Sequence, residues 1–82
     1  MFTTYAIYNS YSKKIYIGQT GNLEKRIIEH NLKLGNHYTA KFEGEWKLVY
    51  KESFSTRSEA IRREKQLKSR AGRDFIKSHI PG

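Results

Sequence analysis

Between Tyr5 and His30 the chain reads YAIYNSYSKKIYIGQTGNLEKRIIEH, and this stretch constrains the fold more than any other. Two short runs rich in tyrosine and isoleucine, Thr4 to Tyr8 and Lys14 to Gly18, flank the polar turn-forming segment Asn9-Ser10-Tyr11-Ser12. That is the pattern of two antiparallel strands joined by a turn. With the turn centred on Ser10 and Tyr11, Tyr5 faces Tyr16, and directly opposed residues project from the same face with Cβ atoms about 5 Å apart. The expectation is a pair of phenols side by side. A slip of one residue would send them to opposite faces.

Gln19-Thr20-Gly21-Asn22 then supplies turn residues, with Asn22 as the cap of a helix that starts at Leu23. At 100° per residue, Leu23, Ile27, His30 and Leu34 share a narrow arc, and Arg26 borders it one turn before His30. A guanidinium and an imidazole beside a core-facing stripe, close behind two tyrosines, form a dense polar cluster. The plainer alternative is a surface arginine next to a partly buried histidine. Gly35 suits the left-handed end of this helix, and a loop follows through Ala40 to Gly44.

A third strand is expected from Trp46 to Ser53, where Trp46, Leu48 and Tyr50 alternate with Lys47, Val49 and Lys51. Thr56-Arg57-Ser58-Glu59 is a capping box, so a second helix begins near Arg57. Its apolar arc holds Ala60, Ile61 and Leu67 with Glu64 in the middle, while Arg62, Arg63 and Lys65 point more nearly outward. Burying an unpartnered carboxylate is expensive, so Glu64 must meet a cation, a metal or strong donors. An ion pair with Lys68 or Arg57 satisfies that as well as a functional site does. The tail carries Arg70, Arg73 and Lys77 among Phe75, Ile76 and Ile80, consistent with a short helix docked by Phe75 and Ile76.

The chain has 82 residues, which points to one domain spanning residues 1–82. A chain this size buries only about 60% of its unfolded surface, leaving one small core. No run approaches the roughly 20 apolar residues of a membrane span, and Met1-Phe2-Thr3-Thr4 lacks the regions of a signal peptide, so the expected setting is the cytoplasm, away from any membrane. There is no cysteine, which excludes disulfides and thiolate metal sites. Sixteen Lys and Arg against eight Asp and Glu give a net charge of +8, the balance of a protein with a polyanionic partner.

These residues, taken together, resemble the GIY-YIG nuclease family. Tyr16-Ile17-Gly18 is the second half of its signature as it stands, and Thr3-Thr4-Tyr5 occupies the first half with only the tyrosine retained. Arg26, in Asn22-Leu23-Glu24-Lys25-Arg26, matches the family's arginine segment, and Glu29-His30-Asn31 follows as in many small relatives. Glu64, in Arg63-Glu64-Lys65-Gln66-Leu67-Lys68, sits in a context similar to that of the family's essential glutamate. Two departures stand out: Gly44-Glu45 replaces a proline common before the position of Trp46, and no asparagine follows Glu64.

The resemblance implies an α/β fold in the order β-β-α-β-α-α, a three-stranded antiparallel sheet flanked by helices. It implies a metal-dependent endonuclease acting on nucleic acid, with DNA as the expected substrate and repair or recombination as the setting. Catalytic roles fall to Tyr5, Tyr16, Arg26, His30 and Glu64, with Glu64 holding Mg²⁺ (or Mn²⁺). One carboxylate with phosphate oxygens is an ordinary environment for Mg²⁺. Arg62, Arg63, Lys65, Lys68, Arg70, Arg73 and His37 are the expected nucleic-acid contacts, with Thr39 beside His37 in a loop facing substrate. A protein partner that directs the chain to its substrate is compatible with this reading. Two alternatives stay open: a catalytically silent nucleic-acid-binding module, and a basic adaptor for an acidic protein.

Overall fold

The computed structural model describes residues 1–34 and 37–81, with the side chain of His37 also outside the described set. Strands β1 (Phe2–Asn9) and β2 (Lys14–Thr20) form the hairpin and lead into helix α1 (Leu23–Asn31). A single helical turn, α2 (His37–Ala40), precedes strand β3 (Trp46–Phe54), and helices α3 (Arg57–Leu67) and α4 (Arg70–Lys77) close the chain. The sheet is antiparallel in the order β2-β1-β3. The expected order of elements therefore holds, with α2 as an added turn inside what the sequence presents as a loop.

Alternation along the central strand β1 separates two layers. Tyr5 and Ile7 face one side, where they pack with Trp46 and with Leu23 and Ile27 of α1. Ala6 faces the other, with Ile17, Leu67 of α3 and Ile76 of α4. The neighbouring Thr4 is fully buried on that second side and donates its hydroxyl to the Ala60 carbonyl at 2.7 Å, which fixes α3 to β1. Consecutive residues of one strand thus anchor helices on opposite faces of the sheet.

The hairpin register differs from the expected one by two residues. Tyr5 pairs with Gly18 and Tyr16 with Ile7, so the phenols are diagonal neighbours instead of opposed ones. The cause is Asn9, whose fully buried side chain accepts from the backbone N–H groups of Tyr11 and Ser12 and donates to the Glu43 carbonyl. This amide organises a turn from Ser10 to Lys13 that ends with Lys13 at φ 61°. A shift of two preserves the face, so both tyrosines still project to the α1 side.

Other expectations need correction. Helix α1 ends at Asn31 and Lys33 takes the left-handed conformation (φ 63°), so Leu34 lies beyond the helical stripe and is exposed; Gly35, the expected terminator, is outside the described residues. Asn31 explains the early stop: its side chain accepts from the Trp46 N–H at 2.7 Å and donates to the Trp46 carbonyl at 3.1 Å, clamping the helix end to the start of β3. In β3 the alternation breaks at a bulge, since Ile7 pairs with Leu48 and Ala6 with Tyr50. Val49 is the extra residue, and Tyr50 turns to pack against the α3/α4 cluster while Trp46 stays with α1. Gly44 adopts φ 95° with Tyr11 and Asn9 against it, a conformation that residues with side chains rarely adopt.

Candidate active site

The Asn22 side chain accepts from the Lys25 N–H and caps α1 as expected, setting the helix phase that brings His30 over the sheet. His30 is fully buried, with Nε2 2.8 Å from the Tyr5 hydroxyl and Nδ1 2.9 Å from the Thr39 hydroxyl. Each ring nitrogen therefore has a partner, the condition a buried imidazole has to meet. Burial, followed by the nearby Arg26 charge and partly opposed by Glu29, pushes the His30 pKa down to about 4. The ring is neutral at pH 7. In the tautomer with its proton on Nδ1 the ring donates to Thr39 and accepts from the Tyr5 hydroxyl at Nε2, and in the other tautomer both directions reverse.

Tyr5 is almost completely buried and holds its proton more tightly than a free phenol. Burial is the main cause, with the neighbouring Tyr16 and the carboxylate of Glu64 pushing the same way, while a hydrogen bond and positive charge from Arg26 oppose them. The Tyr5 and Tyr16 ring centroids are 6.4 Å apart, and Tyr16 lies 5.0 Å from the His30 ring. Gly18 makes this approach feasible: a Cβ there would stand 2.9 Å from the Tyr5 oxygen and 3.0 Å from the Tyr16 ring. Arg26 is held from its other side by Glu29 at 3.2 Å. It also lines an open cleft of about 450 Å³ with Gln19, Lys25 and Arg57.

Glu64 stands on α3, in the opposite layer, and its charge pushes the Tyr5 pKa up, the least of the effects acting on that hydroxyl. Its side chain is only 20% exposed and forms an ion pair with Lys68 at 2.7 Å. Of the two ion-pair partners considered for it, Lys68 is the one found; Arg57 instead donates to Gln19 and lies over the Phe2 ring. Among the described residues no three carboxylate or imidazole groups gather into a metal-binding set. Glu64 alone nonetheless offers hard oxygen donors, and it already holds a positive charge in a half-buried position. That suits an ion which takes most of its ligands from water and phosphate.

The structure divides the expected nucleic-acid contacts. Arg62, Lys65, Arg70 and Arg73 are exposed. Arg63 is not an outward-pointing cation: it is half-buried, donating to Glu52 at 3.0 Å and lying over the Phe75 ring. Lys68 is engaged by Glu64, and the side chain of His37 is outside the described residues. Thr39 faces inward, not toward substrate, because α2 buries it completely against His30. Its carbonyl also accepts from the Trp46 indole N–H at 3.3 Å. The sequence signals only that a buried histidine needs a second partner; which residue provides it depends on a helical turn that no periodicity marks.

Residues 1–77 match the GIY-YIG catalytic domain. The chain belongs to the GIY-YIG family. This is a family of endonucleases built on a nuclease-type fold, and its members generally use divalent ions. Similar proteins include a UPF0213 protein of Staphylococcus saprophyticus, 46% identical over 55 residues that cover 67% of this chain and 66% of that one. A UPF0213 protein of Clostridium perfringens is 46% identical over 56 residues, covering 68% of this chain and 59% of that protein. The matched stretch thus spans between 59% and 66% of these relatives' length, less than two thirds. The solution NMR structure of a UPF0213 protein from Bacillus halodurans superposes with a TM-score of 0.55 at 28% identity, covering 95% of this chain and 84% of that one. This GIY-YIG chain also has no described helix long and apolar enough to cross a membrane.

Proposed function

We propose that this chain, acting as a single domain, hydrolyses phosphodiester bonds of DNA with a divalent ion. The observation that carries the reading is the buried Tyr5 hydroxyl, held at 2.8 Å by a neutral His30 and faced by Arg26 and Tyr16. Such a network needs the Arg26 charge beside a phenol, an arrangement suited to controlling a proton next to a phosphate.

In the proposed reaction a water oxygen bonds to phosphorus, the bond to the leaving oxygen breaks with its electron pair going to that oxygen, which takes a proton from solvent, and the attacking water's proton passes to the Tyr5 oxygen. Tyr5 hands its own proton toward His30 Nε2, and Thr39 keeps the imidazole in the accepting tautomer. Tyr16 is the alternative base and otherwise orients the attacking group. Arg26 stabilises the charge that grows on the pentavalent phosphate. Glu64 is the carboxylate that would hold Mg²⁺ or Mn²⁺, whose chemistry is positive charge at the phosphate and cancellation of the carboxylate's upward push on Tyr5. Lys68 would have to release Glu64 for this, and its half-exposed side chain has the freedom to do so.

The test is incubation of the pure chain with branched, duplex and single-stranded DNA and RNA in Mg²⁺, Mn²⁺ or EDTA, alongside Glu64→Gln. The variant should bind DNA as the native chain does and cleave none of it; full Mg²⁺-dependent cleavage by Glu64→Gln would remove Glu64 from the mechanism. The Glu64–Lys68 ion pair favours a second reading, a silent binding module in which the carboxylate is merely satisfied. Binding by the native chain without cleavage in any metal would select it.

A further inference from the structure

Two adjoining clefts run from the tyrosine cluster along the free edge of β2. The first, of about 270 Å³, is lined by Tyr16, Tyr38, Lys68 and Arg73. The second, of about 240 Å³, shares Ile15, Tyr38 and Arg73 with it and continues to Lys13, Lys14 and Lys77. Neither is lined by an acidic residue, although the chain has eight. By contrast, the cleft on the far flank of α3 sets Arg62 and Arg63 among Glu52 and Glu59. A phosphate chain leaving the catalytic cluster therefore meets uniform positive charge in one direction and mixed charge in the other.

We propose that the β2 edge is a strand-binding track, in which Lys13 of the hairpin turn, Lys14 at the start of β2, and Arg73 and Lys77 of α4 hold successive phosphates of a DNA strand whose scissile bond lies at Tyr16 and Glu64. The proposal rests on the nuclease reading for the position of the scissile bond, and it moves the main contact surface from the outer face of α3 to the hairpin and α4. Three observations support it beyond charge. The track begins at two groups already assigned to the site, Tyr16 and the Lys68 partner of Glu64. Lys13, Lys14, Arg73 and Lys77 are all exposed, so the charges are available to a ligand. Tyr38 forms a floor shared by both clefts; it is 41% exposed and its ring lies 6.0 Å from that of Tyr16, a flat surface for a sugar or base between two groups of cations.

The track is tested by comparing Lys13→Ala/Lys14→Ala/Lys77→Ala with Arg62→Ala/Lys65→Ala, each in the Glu64→Gln background. Binding of a labelled single-stranded oligonucleotide and of its duplex is titrated against salt. Each phosphate contact adds about 0.7 to the slope of log affinity against log salt on a single strand and about 0.9 on a duplex. The triple variant should flatten the slope by about 2 on the single strand, or nearer 3 on the duplex, and weaken binding at least tenfold at low salt; the double variant should change the slope by less than 1. Equal losses in both variants, an unchanged triple variant, or no DNA binding by the parent protein would overturn the track. Hydrolysis of bis(4-nitrophenyl) phosphate, a diester with no second phosphate to occupy the track, is followed in parallel with Glu64 intact. The triple variant should lose at least tenfold more in cleavage of a DNA strand at low substrate concentration than in this activity, and equal losses on the two substrates would mean that these lysines act at the reaction centre instead. A parent chain that binds DNA through these lysines yet hydrolyses neither DNA nor the small diester would sink the nuclease reading alone.

Discussion

A methyl group at position 18 would press on both the Tyr5 oxygen and the Tyr16 ring, so the glycine of Tyr16-Ile17-Gly18 is there to let two phenols share one space. Tyr5→Phe and Tyr16→Phe should each lower DNA cleavage on the order of 10²-fold, the usual scale for a lost acid–base group; Tyr16→Phe should leave stability nearly unchanged, whereas Tyr5→Phe should cost about 1–3 kcal/mol because it strips the buried His30 Nε2 of its partner. Gly18→Ala should match them by displacing both rings, which single-turnover rates would reveal; wild-type rates in all three would make the tyrosines core residues. His30 gives a prediction in pH. Its pKa falls from 6.5 unfolded to about 4 folded, so the unfolded chain takes up a proton first as pH drops. The stability contributed by the neutral ring is intact above pH 6.5 and is lost on going down toward pH 4, by about 3 kcal/mol in all. Urea midpoints measured across that window should fall steeply for the native chain and less steeply for His30→Gln. At this scale the sequence puts Tyr5, Tyr16, Arg26 and His30 on facing elements, and the structure brings the four side chains together. Thr39, a substrate contact by its place in a polar loop, is instead a buried partner of His30, because the residue it bonds lies nine positions away across a turn.

Among the elements, caps were the most legible features. Asn22 and Thr56 sit where their side chains accept from Lys25 and Glu59, since a cap is a local bond between near neighbours. Register and helix ends were less so, because each is decided by an amide acting at a distance: Asn9 reaches Glu43, and Asn31 reaches Trp46. The bulge at Val49 is hidden for a similar reason, being a demand of two facing clusters that no alternation in β3 reveals. Asn31→Ala should cost about 1–3 kcal/mol, since it strips partners from both the N–H and the carbonyl of buried Trp46. Chemical denaturation measures this directly; a change below about 0.5 kcal/mol would show that water replaces the clamp.

For the molecule as a whole, the two layers meet at β1, and the proposed chemistry needs both: tyrosines, Arg26 and His30 from one side, Glu64 from the other. Metal is a different matter, because Glu64 is already paired with Lys68 and neither buried cluster depends on an ion. EDTA should therefore abolish cleavage while leaving the melting temperature within about a degree; a large drop would place an ion in the structural core. The buried Trp46 is the single tryptophan of the chain, and its indole N–H is tied to the same Thr39 that holds His30. Selectively excited, its emission is a built-in optical gauge of α2: a shift of the Thr39 backbone away from His30 alters the indole's own bond and registers as a change in emission wavelength without an attached dye, whereas a rotation of the Thr39 hydroxyl alone does not.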